Sequence, residues 1–164
     1  MWEQPKLLVP YMVTQLATYL DQRDSLYFVN VTTGGYGITT DQAGLSLQYL
    51  CALMNSSLLD FYFKQVSTTF HGGYFAANKQ YIEQLPIRRI DFSHASDKAK
   101  HDKVVTLVKR MLELNKKKHS GKLSPSELKR MERQIASTDK EINRLVYELY
   151  GITEQERKII EETT

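Results

Sequence analysis

From Ser96 onward, apolar side chains recur every three or four positions, first at Val104, Leu107, Met111 and Leu114 and then at Leu128, Met131, Ile135, Ile142, Leu145 and Leu149, with Thr138 as the one polar member. That spacing places them on narrow stripes of two helices. The joint at Lys116–Pro125 contains Gly121, and Ser124-Pro-Ser-Glu127 reads as a capping box with proline at the first helical position. The second helix should run for about 26 residues, or about 39 Å at 1.5 Å per residue. A small globular domain does not cover that length, so an antiparallel, coiled-coil-like hairpin projecting from the rest is predicted. Gly151 should stop the helix, and Thr153-Glu-Gln-Glu156 should open a short terminal one by a second capping box.

The first half has shorter periods. Lys6–Pro10 reads as a short strand bounded by Pro5 and Pro10, which suits an edge or entry position because proline cannot donate to a ladder. Tyr27–Val31 alternates aromatic and β-branched residues and carries the strongest strand pattern, after a polar linker at Asp21–Ser25. Gly34-Gly35 predicts a tight turn into a strand at Tyr36–Thr39. Ser46 should cap a helix to Met54, interrupted by Asn55-Ser56-Ser57 and continued with a kink over Leu58–Val66. Within it, Phe61, Tyr62 and Phe63 cannot share one face and are read as core rather than as a stacking platform. Thr68–Phe75 suggests two strands around Gly72-Gly73, and Asn78 should cap a helix at Lys79–Leu85 that Pro86 ends. The expected fold class is therefore α+β, with a small mixed α/β domain at residues 1–92 followed at residues 93–164 by the hairpin and short terminal helix.

The chain of 164 residues carries a net charge of +3, unevenly spread. Ser93–Lys122 holds nine basic and three acidic residues, whereas the segments on either side are slightly acidic. A basic block on a helix is either a footprint for a phosphate backbone or a solvated face, and charge alone leaves both open. The lone Cys51 lies among Leu50, Ala52, Leu53 and Met54, so it is read as a buried packing residue, with no disulfide or zinc set available. No apolar run is long enough for a bilayer, and no signal peptide is recognisable at Met1, which predicts a cytoplasmic protein without a membrane partner.

Candidate chemistry is sparse. The glycines around Gly34 lack the G-x-G-x-x-G spacing of a dinucleotide loop, and there is no Asn/Asp-Pro-Pro motif of an amino-methyltransferase or magnesium-placing motif of a nuclease. His94, His101, Asp97 and Asp102 are read as solvated surface residues, not metal ligands. The chain itself is expected to be non-catalytic, with no metal or cofactor of its own.

The stretch Asn55–Ile87 contains an Asn-Ser step, Gly72-Gly73-Tyr74-Phe75, and Lys79-Gln-Tyr-Ile-Glu-Gln-Leu-Pro-Ile87 in that order. Together with Lys6–Pro10 and the tail ending at Gly151, it resembles the TaqI-like C-terminal specificity domain, the target recognition domain of combined (type IIG or type I-like) restriction-modification methyltransferases. The resemblance implies that the chain reads double-stranded DNA while an attached domain or subunit, using S-adenosylmethionine to modify adenine, does the chemistry, with or without an endonuclease. It implies that residues of the shared pattern serve scaffold and phosphate contacts: Lys64, Thr68, Thr69, His71, Gly72, Gly73, Asn78, Lys79, Gln80, Arg88 and Arg89. Base reading would then fall where the pattern is loose, at Gln15, Gln22, Arg23, Asn30, Gly34, Gly35, Tyr36 and Gln42, since Asn and Gln pair bidentately with adenine and Arg with guanine.

Each assignment has an architectural alternative: Gly72-Gly73 as a mere turn, Asn78 as a mere cap, and Phe70, Tyr74 and Phe75 as core. The hairpin either spaces the recognition domain from its catalytic neighbour, pairs with a second copy to make a homodimer with Thr138 setting register, or only stabilises itself. The rival functions are a helical protein-interaction or dimerisation module without DNA specificity, and an RNA-binding accessory domain, which exposed aromatics on a sheet would favour.

Overall fold

A computed structural model describes residues 4–22, 26, 34–41, 45–121 and 123–163. The predicted strand at Tyr27–Val31, and the candidates Arg23, Asn30 and Gln42, lie outside the described residues. The fold is mixed α/β, with two small antiparallel sheets and a long helical hairpin. Strand β1 (Lys6–Pro10) is central to the first sheet, flanked by β3 (Tyr19–Asp21) and β4 (Gly35–Ile38). One residue later the chain enters β2 (Met12–Val13), which pairs with β6 (Tyr74–Ala76), and β6 in turn pairs with β5 (Thr69–Phe70). Tyr11 is thus the hinge between the sheets.

The helices behave much as their caps predict. Ser46 accepts the N–H of Tyr49 at 3.2 Å to open α1 (Leu47–Met54), and Ser56 accepts that of Leu59 at 3.3 Å to open α2 (Ser57–Val66). Both halves of the capping box form at Ser124 and Glu127, starting α5 (Pro125–Tyr150). Gly151 closes it at φ 69°, and Thr153 with Glu156 opens α6 (Glu154–Thr163) by reciprocal bonds of 2.8 and 3.3 Å. The antiparallel partner of α5 is α4 (Ala95–Lys118).

One buried cluster binds these pieces. It runs from Leu7 and Val9 of β1 through Leu53 of α1, Leu59 and Phe63 of α2 and Val104 of α4 to Val146, Leu149 and Ile160. Tyr62, between two residues packed on this cluster, is 37% exposed, as the helix geometry requires.

Several expectations differ from the structure. Lys6–Pro10 is not an edge strand: it is central, and Pro10 is accommodated at its last position, opposite Gly35 and beyond the residues that pair with β3. Asp21 is not in a linker: it ends β3, sits buried, accepts the Leu26 N–H at 2.9 Å and lies 3.6 Å from buried Lys6. This edge strand was hidden because Tyr19 faces solvent and only Leu20 supplies an apolar signal. The helix α3 (Lys79–Ile82) is half the predicted length, since ahead of Pro86 the chain tightens into i→i−3 bonds from Gln84 and Leu85. His101 is no solvated residue: its ring is buried between Tyr49 and Phe92, each centroid 5.1 Å away.

Candidate nucleic-acid interface

Near the junction of the two sheets, candidates distant in sequence come together. Register pairs Pro10 with Gly35 and Val9 with Tyr36. The Tyr36 ring then lies 6.4 Å from that of Tyr11, and the Tyr11 carbonyl accepts the Ala77 N–H at 2.8 Å. The start of α3 is thereby fixed beside β4. A cleft of about 670 Å³ opens there, lined by Tyr36 of β4, Leu50 and Met54 of α1, Lys79 of α3, and Arg89. Asp41 and Glu83 share its lining. The cleft therefore offers an aromatic ring and two cations, tempered by two carboxylates, rather than a uniform anion trap.

The arm carrying Arg89 is held by two phenols. Tyr150 donates to the Pro86 carbonyl at 2.6 Å and accepts the Arg88 N–H at 3.0 Å, while Tyr49 donates to the Arg88 carbonyl at 3.1 Å. Burial pushes both phenols above the ordinary tyrosine range, so both remain donors at any working pH. The Arg88 side chain turns to Asp97 at 3.0 Å, leaving Arg89 as the cation of this pair that lines the cleft.

The other candidates distribute differently. Gln15 and Gln22 line a second cleft of about 890 Å³ with Thr18 and Asn55 and with hairpin residues as far out as Lys116 and His119. The two clefts meet different faces of α1, Leu50 and Met54 on one side, Cys51 and Asn55 on the other. Gly34 and Gly35 lead into the first cleft's wall at Tyr36. Thr68, Thr69, His71, Gly72 and Gly73 are all exposed along the β5–β6 hairpin, and Gln80 is exposed on α3. Gly72 and Gly73 take φ 81° and 76°, and a side chain at Gly73 would meet nothing, so glycine there serves the left-handed turn rather than a close approach. Thr68 and the Tyr81 hydroxyl are bonded at 2.5 Å, tying the base of that hairpin to α3. Asn78 occupies the N-cap position without capping, and its buried Oδ1 has no partner among the described residues.

Lys64 is engaged internally: its ammonium lies 2.8 Å from Asp60, a carboxylate with no exposed surface whose Oδ1 accepts the Leu16 N–H at 2.6 Å. Asn55 works beside it, accepting the Thr18 N–H at 2.8 Å and donating to the Thr18 carbonyl and hydroxyl at 3.2 and 2.8 Å. These two residues anchor the segment carrying Gln15. Sequence reasoning passed over Asp60, although an aspartate among the leucines and aromatics of α2 was the available signal, and noted Asn55 only as part of the Asn-Ser step.

The TaqI-like C-terminal specificity domain family matches residues 1–87, more than half of the chain. The chain belongs to this family. No curated protein matches it. Specificity domains of this family are non-catalytic, and membership supports a DNA-recognition role in restriction-modification. Among the described residues no three His, Cys, Asp or Glu side chains group as metal ligands, and no helix is long and apolar enough to cross a membrane.

Proposed function

We propose that this specificity domain reads a double-stranded DNA target for a restriction-modification methyltransferase of the type IIG or type I-like kind. The bond-making would belong to an attached domain or subunit that uses S-adenosylmethionine to modify adenine, with or without an endonuclease. The observation that carries the reading is the convergence on one cleft of Tyr36 and Lys79, both within the span that matches the family, with Arg89, two residues beyond it. Lys79 and Arg89 would neutralise backbone phosphates and set register. The β5–β6 turn would present the exposed donors of Thr69 and His71 and the uncovered backbone of Gly72-Gly73. Base choice would fall to the loops that contain Gln15, Gln22, Arg23, Asn30 and Gln42, together with Gly34-Gly35-Tyr36. Residues 1–92 would form the reader, and residues 93–164 would space it from its catalytic neighbour or pair it with a second copy.

Exchange of residues 14–25 and 30–42 between relatives with different targets, in the full enzyme, is expected to move the methylated sequence with the exchanged loops. A target that stays with the recipient would remove the base-reading assignment. A second reading, RNA binding, is favoured by one observation. Phe70 and Tyr74 are directly opposed across β5 and β6, and Met12 shares their face through its pairing with Ala76; all three are 42–44% exposed. Aromatics on an open sheet face suit unstacked bases. Tighter binding of single-stranded RNA than of target duplex, lost on Phe70→Ala with Tyr74→Ala, would favour that reading.

A further inference from the structure

The hairpin changes character along its length. Its proximal half belongs to the central cluster, through Val104 and Val108 of α4 and Ile142, Leu145, Val146 and Leu149 of α5. No α5 residue before Ile142 enters that cluster. Beyond that point Met111 and Leu112 of α4 still pack against the cluster, whereas Leu114 and Met131 are buried yet belong to no larger core. At 1.5 Å per residue, the α5 stretch Pro125–Glu141 reaches about 25 Å.

Charge follows the same division. Lys109–Arg133 holds nine basic and three acidic residues. Of the three carboxylates, Glu127 is committed to its capping box with Ser124, Glu132 to Lys118 at 3.2 Å, and exposed Glu113 makes no ion pair among the described residues. Exposed Lys109, Arg110, Lys116, Lys117, Lys129 and Arg133 make no ion pair among the described residues. Proximally the pattern is the reverse. Lys98 pairs with Asp102 at 2.6 Å, Lys103 with Glu141 at 2.6 Å, and Arg144 with both Glu141 and Glu148. A solvated face needs no such segregation, because interspersed acids satisfy solubility equally well. Here the uncompensated cations gather on the half of the hairpin where only Met111 and Leu112 of α4 still pack against the core.

We propose that the distal half of the α4–α5 hairpin is a second, sequence-independent contact surface for the phosphate backbone of duplex DNA flanking the target. It rests on the reading of this chain as a duplex-DNA reader. Two antiparallel helices lie about 8–10 Å apart, and they present Lys109, Arg110, Lys116 and Lys117 from one and Lys129 and Arg133 from the other. Such an array meets phosphates as point charges without base contacts, so it adds affinity and salt dependence and leaves sequence preference alone.

The test uses the whole chain and fluorescently labelled duplexes of about 12 and about 30 base pairs, titrated between 50 and 200 mM salt, values chosen to span the range in which phosphate contacts are released. The wild type is expected to bind the longer duplex more tightly at low salt, with or without a target. A variant K109Q/R110Q/K116Q/K117Q should lose that length dependence and flatten the slope of log K against log salt by about 2–4, with its circular dichroism spectrum unchanged. The cleft variant K79Q/R89Q separates the two readings. If it flattens the slope and the arm variant does not, the arm proposal falls and the cleft reading stands. If the arm variant flattens it and the cleft variant does not, the arm stands and the cleft loses its phosphate role. Binding of no duplex at low salt, or of anionic vesicles in preference to duplex, overturns the arm proposal outright.

Discussion

Replacing Asp60 with alanine should destabilise the fold by about 3 kcal/mol, the lower end of the range for breaking a buried ion pair because the Lys64 stem keeps some solvent contact. Three costs combine. The Leu16 N–H, bonded to Asp60 at 2.6 Å, loses its acceptor inside the fold. Lys64 loses the carboxylate 2.8 Å away, and a fully buried side chain of α2 is removed from the central packing. For a chain of this size the change corresponds to a melting temperature lower by about 6–12 °C. Asp60→Asn keeps an acceptor for the Leu16 N–H and should recover part of the loss; equal losses for both variants would locate the whole effect in the charge. Urea denaturation of the three proteins measures this, and a loss below about 1 kcal/mol for Asp60→Ala would remove the anchoring role.

The reason Asp60 went unread in the sequence is general. Periodicity identifies which face of α2 is apolar, and a carboxylate inside an apolar run looks like a residue turned to solvent. Its partner is the backbone of Leu16, forty-four positions away, and a backbone N–H carries no residue type that could announce it. The Asn55-Ser56 step was visible as part of a family pattern, and its work was not. Ser56 donates to the Leu53 carbonyl at 2.6 Å and caps α2, while the Ser57 N–H is accepted by Asn143 of α5 at 2.8 Å. The step therefore turns the chain between two helices and ties that turn to the hairpin. Local signals were legible: the caps at Ser46 and Ser124, the stop at Gly151 and the left-handed turn at Gly72-Gly73 all depend on neighbours within a few positions. The cleft joining Tyr36 to Lys79 and Arg89 was not, because it depends on Tyr11 bridging two sheets.

The same distinction explains how the candidate residues divide. Chemistry by residue type selected lysines and arginines alike, yet Lys64 is held by Asp60 one turn earlier in α2, Arg88 turns to Asp97, and Arg89 is set in the cleft. On the hairpin, charge counting could not separate footprint from solvated face. The structure adds the missing variable, which is where along the hairpin the cations lack acids and the core stops.

Asn55→Ala should cost about 2–3 kcal/mol, since it leaves the Thr18 N–H, carbonyl and hydroxyl without the side chain that now serves them at 2.8–3.2 Å, while the Cys51 carbonyl keeps only the backbone N–H of residue 55. Asn55→Asp should not rescue it. An aspartate still accepts from the Thr18 N–H, but sets an anionic oxygen against two carbonyls where an amide N–H now donates. Combined with Asp60→Ala, the loss should fall short of the sum by at least about 1 kcal/mol, because both residues hold the same short segment, and once Leu16 is released Thr18 has less order left to lose. A double-mutant cycle from urea midpoints reads the coupling, and additivity within about 0.5 kcal/mol would show that the two anchors act separately. The segment also carries Gln15 towards the second cleft. Each single variant should therefore weaken discrimination between target and altered duplexes more than it weakens binding to unrelated DNA, at temperatures where the domain remains folded. A uniform loss across all duplexes would detach this segment from base reading and leave it a purely structural element.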